Sequence, residues 1–205
     1  MPGGVKESLP INAIPTPSVQ FSMGLPWKMD AMVRLVPEVG SDDVKGSLLG
    51  LGLKKEITSW FGPMEKTPLH VSLLAAYTSM NVDYDIQNDS SLSGSNQRAE
   101  FKLNSYTVEA IASLNFPIIN IFGGIGYSSG NSELNMLGTY DLDYDVNGGG
   151  TVTETVVDPL NLDFNASGFK TTVGARLSLG FFKIFGSYTL QEYNTVNAGI
   201  ALSFR

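Results

Sequence analysis

Residues 169–181 read Phe-Lys-Thr-Thr-Val-Gly-Ala-Arg-Leu-Ser-Leu-Gly-Phe and alternate between apolar and polar side chains at nearly every step. Val173 and Leu177 share one parity, whereas Lys170 and Arg176 share the other. Successive side chains of a β-strand point to opposite faces of a sheet, so this period of two predicts a strand with one apolar and one polar face. The stretch is about thirteen residues long, against a usual strand of about five or six.

The same alternation returns along most of the chain, and turn-forming residues separate its segments. In residues 106–116, for example, Val108, Ala110 and Leu114 alternate with Glu109. The pattern predicts one all-β domain over residues 1–205, an antiparallel meander of about nine strands. The predicted strands are Ser18–Leu25, Ala31–Val39, Val44–Ile57, Leu69–Ile86, Ala99–Phe116, Ile118–Ser129, Phe169–Phe181, Phe182–Tyr193 and Thr195–Phe204.

Strand length and unequal connections predict an outer-membrane-type β-barrel. A tilted strand that crosses a membrane needs about nine to eleven residues with alternating faces. Connections at Pro117 and Phe181 are tight, whereas Gln87–Gln97 and Ser132–Asn165 are long and polar. Short turns on one rim and long loops on the other are typical of such barrels. We therefore expect residues 132–165 to form a long polar surface loop and the apolar strand faces to point outward, to lipid.

A soluble protein is the alternative interpretation of the same alternation. A sandwich or a lipocalin-like barrel would turn the apolar faces inward and bind a small ligand there. Tyrosines near the predicted strand ends fit the aromatic girdles of a membrane interface, but they also fit ordinary packing. Alternation alone does not separate these two architectures.

Composition excludes several classes of function. The chain has 13 Lys and Arg against 20 Asp and Glu, a formal net charge of −7, which argues against a nucleic-acid partner. Cysteine is absent, which removes thiol nucleophiles and disulfides. His70 is the single histidine, so a multi-histidine metal centre is excluded as well.

The ends and the apolar runs carry no helical membrane signal. Met1–Lys6 has no basic region, apolar core or small-residue cleavage site, so no signal peptide is predicted there. The best apolar run, Ala110–Tyr127, is interrupted by polar residues and glycines and does not reach the length of a membrane helix.

The last predicted strand resembles the terminal-strand signal that the outer-membrane assembly machinery recognises. That signal consists of a polar residue, a glycine two positions later and two further apolar residues, here Asn197, Gly199, Leu202 and Phe204. Such signals usually end on the aromatic residue, so the additional Arg205 is a departure. The resemblance implies that residues 197–204 are read by this machinery and that the protein lies in the outer membrane.

Further stretches resemble an uncharacterised outer-membrane β-barrel family of Bacteroidota, a domain of unknown function. The resemblance covers nearly the whole chain but only the later part of such proteins, which begin with a signal peptide and further strands. It implies an N-terminally truncated, incomplete barrel and carries no catalytic residues. The stretches are Leu9–Pro17, Met32–Pro37, Asn96–Phe101, Leu137–Asp141 and Tyr188–Thr195.

Charged residues on the polar parity are the candidate lumen-lining groups. In a barrel with apolar residues outside, they would face the interior and tune its selectivity. The alternative is that they pair with one another and fill the interior. These residues are Arg34, Glu109, Lys170, Arg176 and Lys183.

Residues 143–154 match the spacing of a calcium-binding loop. Asp143, Asp145 and Asn147 stand at alternate positions before Gly148, and Glu154 follows where a bidentate ligand closes such loops. The flanks are strand-like, so we expect weak calcium binding by a loop without helices. A solvated acidic loop tip is the alternative. No other cofactor is expected.

Gly126-Tyr127-Ser128-Ser129-Gly130 fits the G-x-S-x-G pattern of hydrolase nucleophile elbows. That elbow needs a strand, a turn and a helix, together with a histidine downstream, whereas His70 lies upstream. We therefore expect no enzyme. The sequence favours an outer-membrane barrel with a transport, pore or structural role, in contact with membrane lipid. The alternative is a soluble lipocalin-like barrel.

Overall fold

The computed structural model describes residues 17–40, 44–86, 93–146, 150–192 and 194–204. Ten strands form one antiparallel sheet. Thr58–Lys66 contains two short 3₁₀ turns, which are separated by a kink at Phe61 and Gly62. The strands are β1 Val19–Leu25, β2 Met29–Gly40, β3 Val44–Glu56, β4 Leu69–Asp85, β5 Ser93–Asn115, β6 Ile119–Val146, β7 Gly150–Val157, β8 Leu160–Leu179, β9 Phe182–Leu190 and β10 Thr195–Leu202.

The sheet is an open half-barrel in which neighbours in sequence are neighbours in space. The order is β1-β2-β3-β4-β5-β6-β8-β9-β10, and β7 is a short extra strand that pairs with the upper part of β6. Within the described ranges no ladder joins β1 to β10. The predicted all-β meander of about nine strands, incomplete as a barrel, is confirmed.

Four connections lie at the same end of the sheet, which we call the lower rim: residues 26–28, 57–68, 116–118 and 180–181. The tightest is the two-residue turn after Leu179, where Gly180 has a φ of 68°. This left-handed conformation costs a side-chain-bearing residue free energy, so glycine suits the position. The opposite end is the upper rim. Residues 158–159, between β7 and β8, lie at neither rim but beside Gly138 of β6.

The predicted polar loop over residues 132–165 is wrong. β6 continues without interruption to Val146, and β8 already begins at Leu160. Their upper parts pair directly, from Asn131 with Asn165 to Met136 with Leu160. The alternation persists there, but Asn, Asp and Ser residues alternate with the apolar ones, and this composition favours a loop on sequence grounds alone.

The half-barrel is a single layer without a hydrophobic core. Across the described chain, Val36, Ile57 and Tyr140 are the hydrophobic side chains that are buried. Most large apolar side chains are exposed on one face of the sheet, although a soluble domain normally buries such a face against a second layer. No helix among the described residues has both the length and the apolar character needed to cross a membrane.

Candidate functional site

The two faces of the half-barrel differ in exposure. The outer face carries Val108, Ile125 and Val173, which are 61%, 69% and 56% exposed. The inner face carries Glu109, which is 6% exposed, and Lys170, which is half-buried. The apolar parity is therefore the more exposed face of the sheet, and its contact with lipid stays a prediction. Other exposed members of the outer face are Leu114, Leu177, Leu179, Leu190, Val196, Ile200 and Leu202.

Aromatic side chains bound this outer apolar surface at both ends. Near the middle of the long strands, Tyr77 packs on Tyr106 with ring centroids 5.0 Å apart, and Tyr127 meets Phe169 edge-on at 5.5 Å. We call these four residues the upper belt. The exposed aromatic residues at the lower rim form the lower belt, which consists of Trp27, Trp60, Phe61, Phe116, Phe181 and Phe204.

The distance between the belts matches the thickness of a membrane. From Phe169 to Phe181 the chain advances about 40 Å at about 3.3 Å per residue. A strand tilted by about 40° converts this length into about 30 Å along the barrel axis. The hydrocarbon core of a bilayer is about 30 Å thick. Exposed side chains between the belts are largely apolar.

Above the upper belt the outer face becomes polar. Tyr77 donates a hydrogen bond to Asn104 Oδ1 at 2.8 Å, which marks the boundary between the two regions. The amides of Asn131 and Asn161 donate to Asn165 and Asn135 at 3.0 and 2.6 Å. Outer-face residues of this upper part include Lys102, Glu133, Asp163, Asp83 and Glu100.

The inner face changes in the opposite sense at the same level. Its upper part is apolar, whereas its lower part carries charges, hydroxyl groups and glycines. Strand register continues across the boundary, so the inversion belongs to the sequence of each strand and not to a twist of the sheet. The apolar inner residues are Leu48, Met80, Val82, Phe101, Leu103, Leu134, Met136, Leu162 and Phe164.

An ion pair lies on the lower inner face. Lys170 Nζ is 2.8 Å from Glu109 Oε2, and both side chains are largely buried. The two residues belong to β5 and β8, which flank β6, and Gly126 is their common register partner. A Cβ atom at Gly126 would lie 2.6 Å from the carbonyl oxygen of Val108, so only glycine fits here. Two of the predicted lumen-lining residues are thus brought together by a glycine.

Gly124 makes room for the same carboxylate. A Cβ atom at this position would lie 2.4 Å from Glu109 Oε1. Gly124 and Gly126 of β6 therefore have a packing role. They form a floor on which the Glu109 side chain lies.

Further polar contacts line the lower inner face between β1 and β4. Lys54 is 2.8 Å from Asp30, and His70 Nδ1 is 3.3 Å from Glu56 Oε1. Asp30, Lys54 and Glu56 were absent from the predicted site. Asp30 lies on the same face of β2 as Arg34, and Lys54 and Glu56 lie on the matching face of β3. The period of two in the sequence could therefore have identified them as inner residues.

The other predicted inner residues lie on the expected face. Arg34 donates to Gln20 Oε1 through Nε at 3.1 Å and Nη2 at 2.8 Å. Arg176 stands between Asn120 and Phe185 in the sheet register. Its Nε atom is buried and has no hydrogen-bond partner among the residues that the structure describes. Lys183 pairs in register with Ser178 near the lower rim.

The described residues of the predicted calcium loop belong to the antiparallel β6–β7 ladder. Asp143 pairs with Thr153, Asp145 with Thr151 and Leu142 with Glu154 in the β6–β7 ladder. In the part of the chain that the structure describes, no cluster of three His, Asp or Glu residues is arranged to hold a metal ion. Asn147 lies outside the described residues, so calcium binding stays a prediction.

The G-x-S-x-G stretch lies within β6 and forms no elbow. Residues 126–130 are extended and pair with both β5 and β8. The hydroxyl groups of Ser128 and Thr107 are 2.8 Å apart and hydrogen-bonded. The turn and the helix that expose a hydrolase nucleophile are replaced here by a continuous strand.

Comparison with known families adds one assignment. Residues 1–204 match a family of unknown function, DUF6588, over almost the whole chain. The chain belongs to the DUF6588 family. No curated protein and no solved structure matches the chain. The match supports the expectation of a domain of unknown function.

Tyr140 provides a pH-dependent probe of the region above the upper belt. It is buried, and burial raises the pKa of its phenol above 10.0, with a further increase from the carboxylate of Asp158. The folded state holds this proton more tightly, so its stabilisation is complete below about pH 10 and is lost as pH rises through the folded-state pKa. Above about pH 10, we expect the free energy of unfolding to fall more steeply with pH for the wild type than for Tyr140→Phe. If the free energy of unfolding depended on pH equally in the two proteins, the raised pKa of Tyr140 would be contradicted.

Proposed function

We propose that this chain forms part of the wall of an outer-membrane β-barrel whose polar interior passes small solutes. The observation that carries the proposal is the apolar outer surface between the two aromatic belts. Its height matches a bilayer, and its inner counterpart carries Glu109, Lys170 and Arg176. Apolar residues outside and polar residues inside are the pattern of membrane barrels.

The exposed area argues for lipid as the solvent of this surface. Monomeric soluble proteins rarely expose a continuous apolar patch above a few hundred Å². Here the patch extends over the outer faces of β1–β6 and β8–β10. In water such a surface would drive aggregation, whereas in a bilayer it is already in its preferred medium.

The last strand supports a partner for assembly. β10 pairs with β9 on one side, and no ladder occupies its other edge among the described residues. Gly199 lies beneath the ring of Phe185, and Phe204 is 82% exposed beyond the strand. An accessible edge that ends in an exposed aromatic residue is what the outer-membrane assembly machinery would need to bind.

Tryptophan fluorescence in lipid vesicles tests the membrane proposal. With Trp27 and Trp60 replaced by Phe, we expect Val173→Trp to be quenched by brominated lipid and protected from a water-soluble quencher. The neighbouring Thr172→Trp faces inward and should show the reverse, because adjacent residues of a strand lie on opposite faces. Equal access of both positions to the aqueous quencher would rule out the membrane proposal. Conductance in planar bilayers then separates a pore from a purely structural barrel.

The upper inner face favours a second candidate, a barrel that binds a small apolar ligand inside. Phe101, Leu103 and Leu134 lie there on adjacent strands β5 and β6. A lipocalin-like protein would place such residues around its ligand. Binding of a fluorescent fatty-acid analogue by protein that stays monomeric without detergent would favour this candidate. Dependence on detergent for a monomeric state would favour the membrane proposal.

A further inference from the structure

The inner face of the last three strands is basic. β8, β9 and β10 are described throughout, and their inner parity contains Lys170, Arg176 and Lys183 but no Asp or Glu. Carboxylates of the lower inner face lie on β2, β3 and β5 instead. The chain as a whole has a net charge of −7, so the inner face of these three strands is opposite in sign to the rest of the protein.

The three cations differ in how they are neutralised. Glu109 reaches across β6 to Lys170. Arg176 lies six residues further along β8, toward the lower rim, and is therefore not the partner of Glu109. The register partners of Arg176 are Asn120 on β6 and Phe185 on β9. Its nearest neighbours on the same face of β8 are Gly174 and Ser178. Arg34 provides the contrast, because Gln20 accepts hydrogen bonds from both its Nε and its Nη2. The Nε atom of Arg176 is buried without such an acceptor among the described residues.

We propose that Arg176 binds an oxyanion on the lower inner face, and this inference rests on the proposed solute pathway. A guanidinium group presents Nε and Nη as two parallel donors that match two oxygens of a carboxylate or phosphate. An anion in this position would supply the missing acceptor for Nε and balance the positive charge of the guanidinium group. Lys183 is a diagonal neighbour across the β8–β9 ladder and adds a second positive charge to the same site.

Ligand binding by the full chain in detergent micelles tests the site without requiring membrane insertion. Inorganic phosphate and acetate are titrated calorimetrically at constant ionic strength against sodium chloride. We expect binding of at least one of them to weaken roughly tenfold or more in Arg176→Gln, because a charged hydrogen-bonded pair is lost. Arg34→Gln is the matched control and should bind as the wild type does. Arg176→Lys keeps the charge but loses the paired donors, and should lie between the two.

The two anions identify the source of the ligand. Tighter binding of phosphate assigns the site to phosphorylated solutes or headgroups, and tighter binding of acetate assigns it to carboxylates. Equal affinity of wild type and Arg176→Gln for both anions would overturn the inference, as would an equal loss in Arg34→Gln. Circular dichroism of each variant shows whether a loss comes from unfolding, in which case Lys183→Gln replaces Arg176→Gln as the test. Failure of the vesicle-quenching experiment with anion binding intact would overturn the membrane proposal alone.

Discussion

Val173→Arg is expected to lower the free energy of unfolding by about 2–4 kcal/mol when the protein is folded into a lipid bilayer. Val173 lies on the outer face of β8, near the middle of the span between Phe169 and Phe181, and is 56% exposed. An arginine at this height would have to be solvated within hydrocarbon, which explains the large expected cost. The measurement is urea-induced unfolding in vesicles of defined lipid composition.

Ser167→Arg is the matched control for this substitution. Ser167 lies on the same face of the same strand, at the level of the upper belt next to Ser129. A charge at the membrane interface costs only about 0–1 kcal/mol, so this variant should unfold nearly as the wild type does. If lipid does not cover the outer face, Val173→Arg becomes an ordinary surface substitution within about 0.5 kcal/mol of wild type. A small effect at both positions would therefore contradict the membrane proposal.

Glu109→Gln is expected to destabilise the protein by about 1.5–3 kcal/mol, because it removes the charged partner of Lys170. The ion pair is 2.8 Å long and both side chains are largely buried, so the remaining ammonium group would have little access to water. The double variant Glu109→Gln with Lys170→Met should recover part of the loss, since it leaves no unpaired charge. Denaturant unfolding of the single and double variants measures the coupling between the two residues.

A more exposed ion pair on the same face provides the control. Lys54 and Asp30 are also 2.8 Å apart, but their side chains are 37% and 42% exposed. Solvent screening limits such pairs to about 0–1 kcal/mol, so Asp30→Asn should cost less than Glu109→Gln. If the two single variants cost the same, the buried pair would have no special structural role.

The sequence by itself determined most of the strands and the separation of their faces. In residues 169–181 each apolar residue is followed by a polar one, and this local pattern is sufficient to predict both a strand and its two sides. The same applies to residues 106–116, where Val108 is outside and Glu109 inside. Such features depend on the alternating geometry of a single extended chain, so no knowledge of distant residues is needed.

The prediction of a loop over residues 132–165 was wrong because it also relied on local composition alone. Residues 132–165 keep the period of two, but their polarity is reversed and rich in Asn and Asp. These residues are strands because the upper part of β6 pairs with β5 on one side and with β7 and the start of β8 on the other. Backbone hydrogen bonds between distant segments stabilise an extended chain regardless of composition, and a local pattern does not reveal them.

The tertiary structure alone decided which charges meet. Glu109 and Lys170 are far apart in the sequence, and they meet because β6 lies between β5 and β8 and has Gly126 where a side chain would separate them. Parity predicts that both residues face inward, but contact depends on register across two ladders. Register is set by interstrand hydrogen bonds and turn lengths, so the ion pair emerges only once the sheet is assembled. The same holds for the Nε atom of Arg176, which has no acceptor among the described residues.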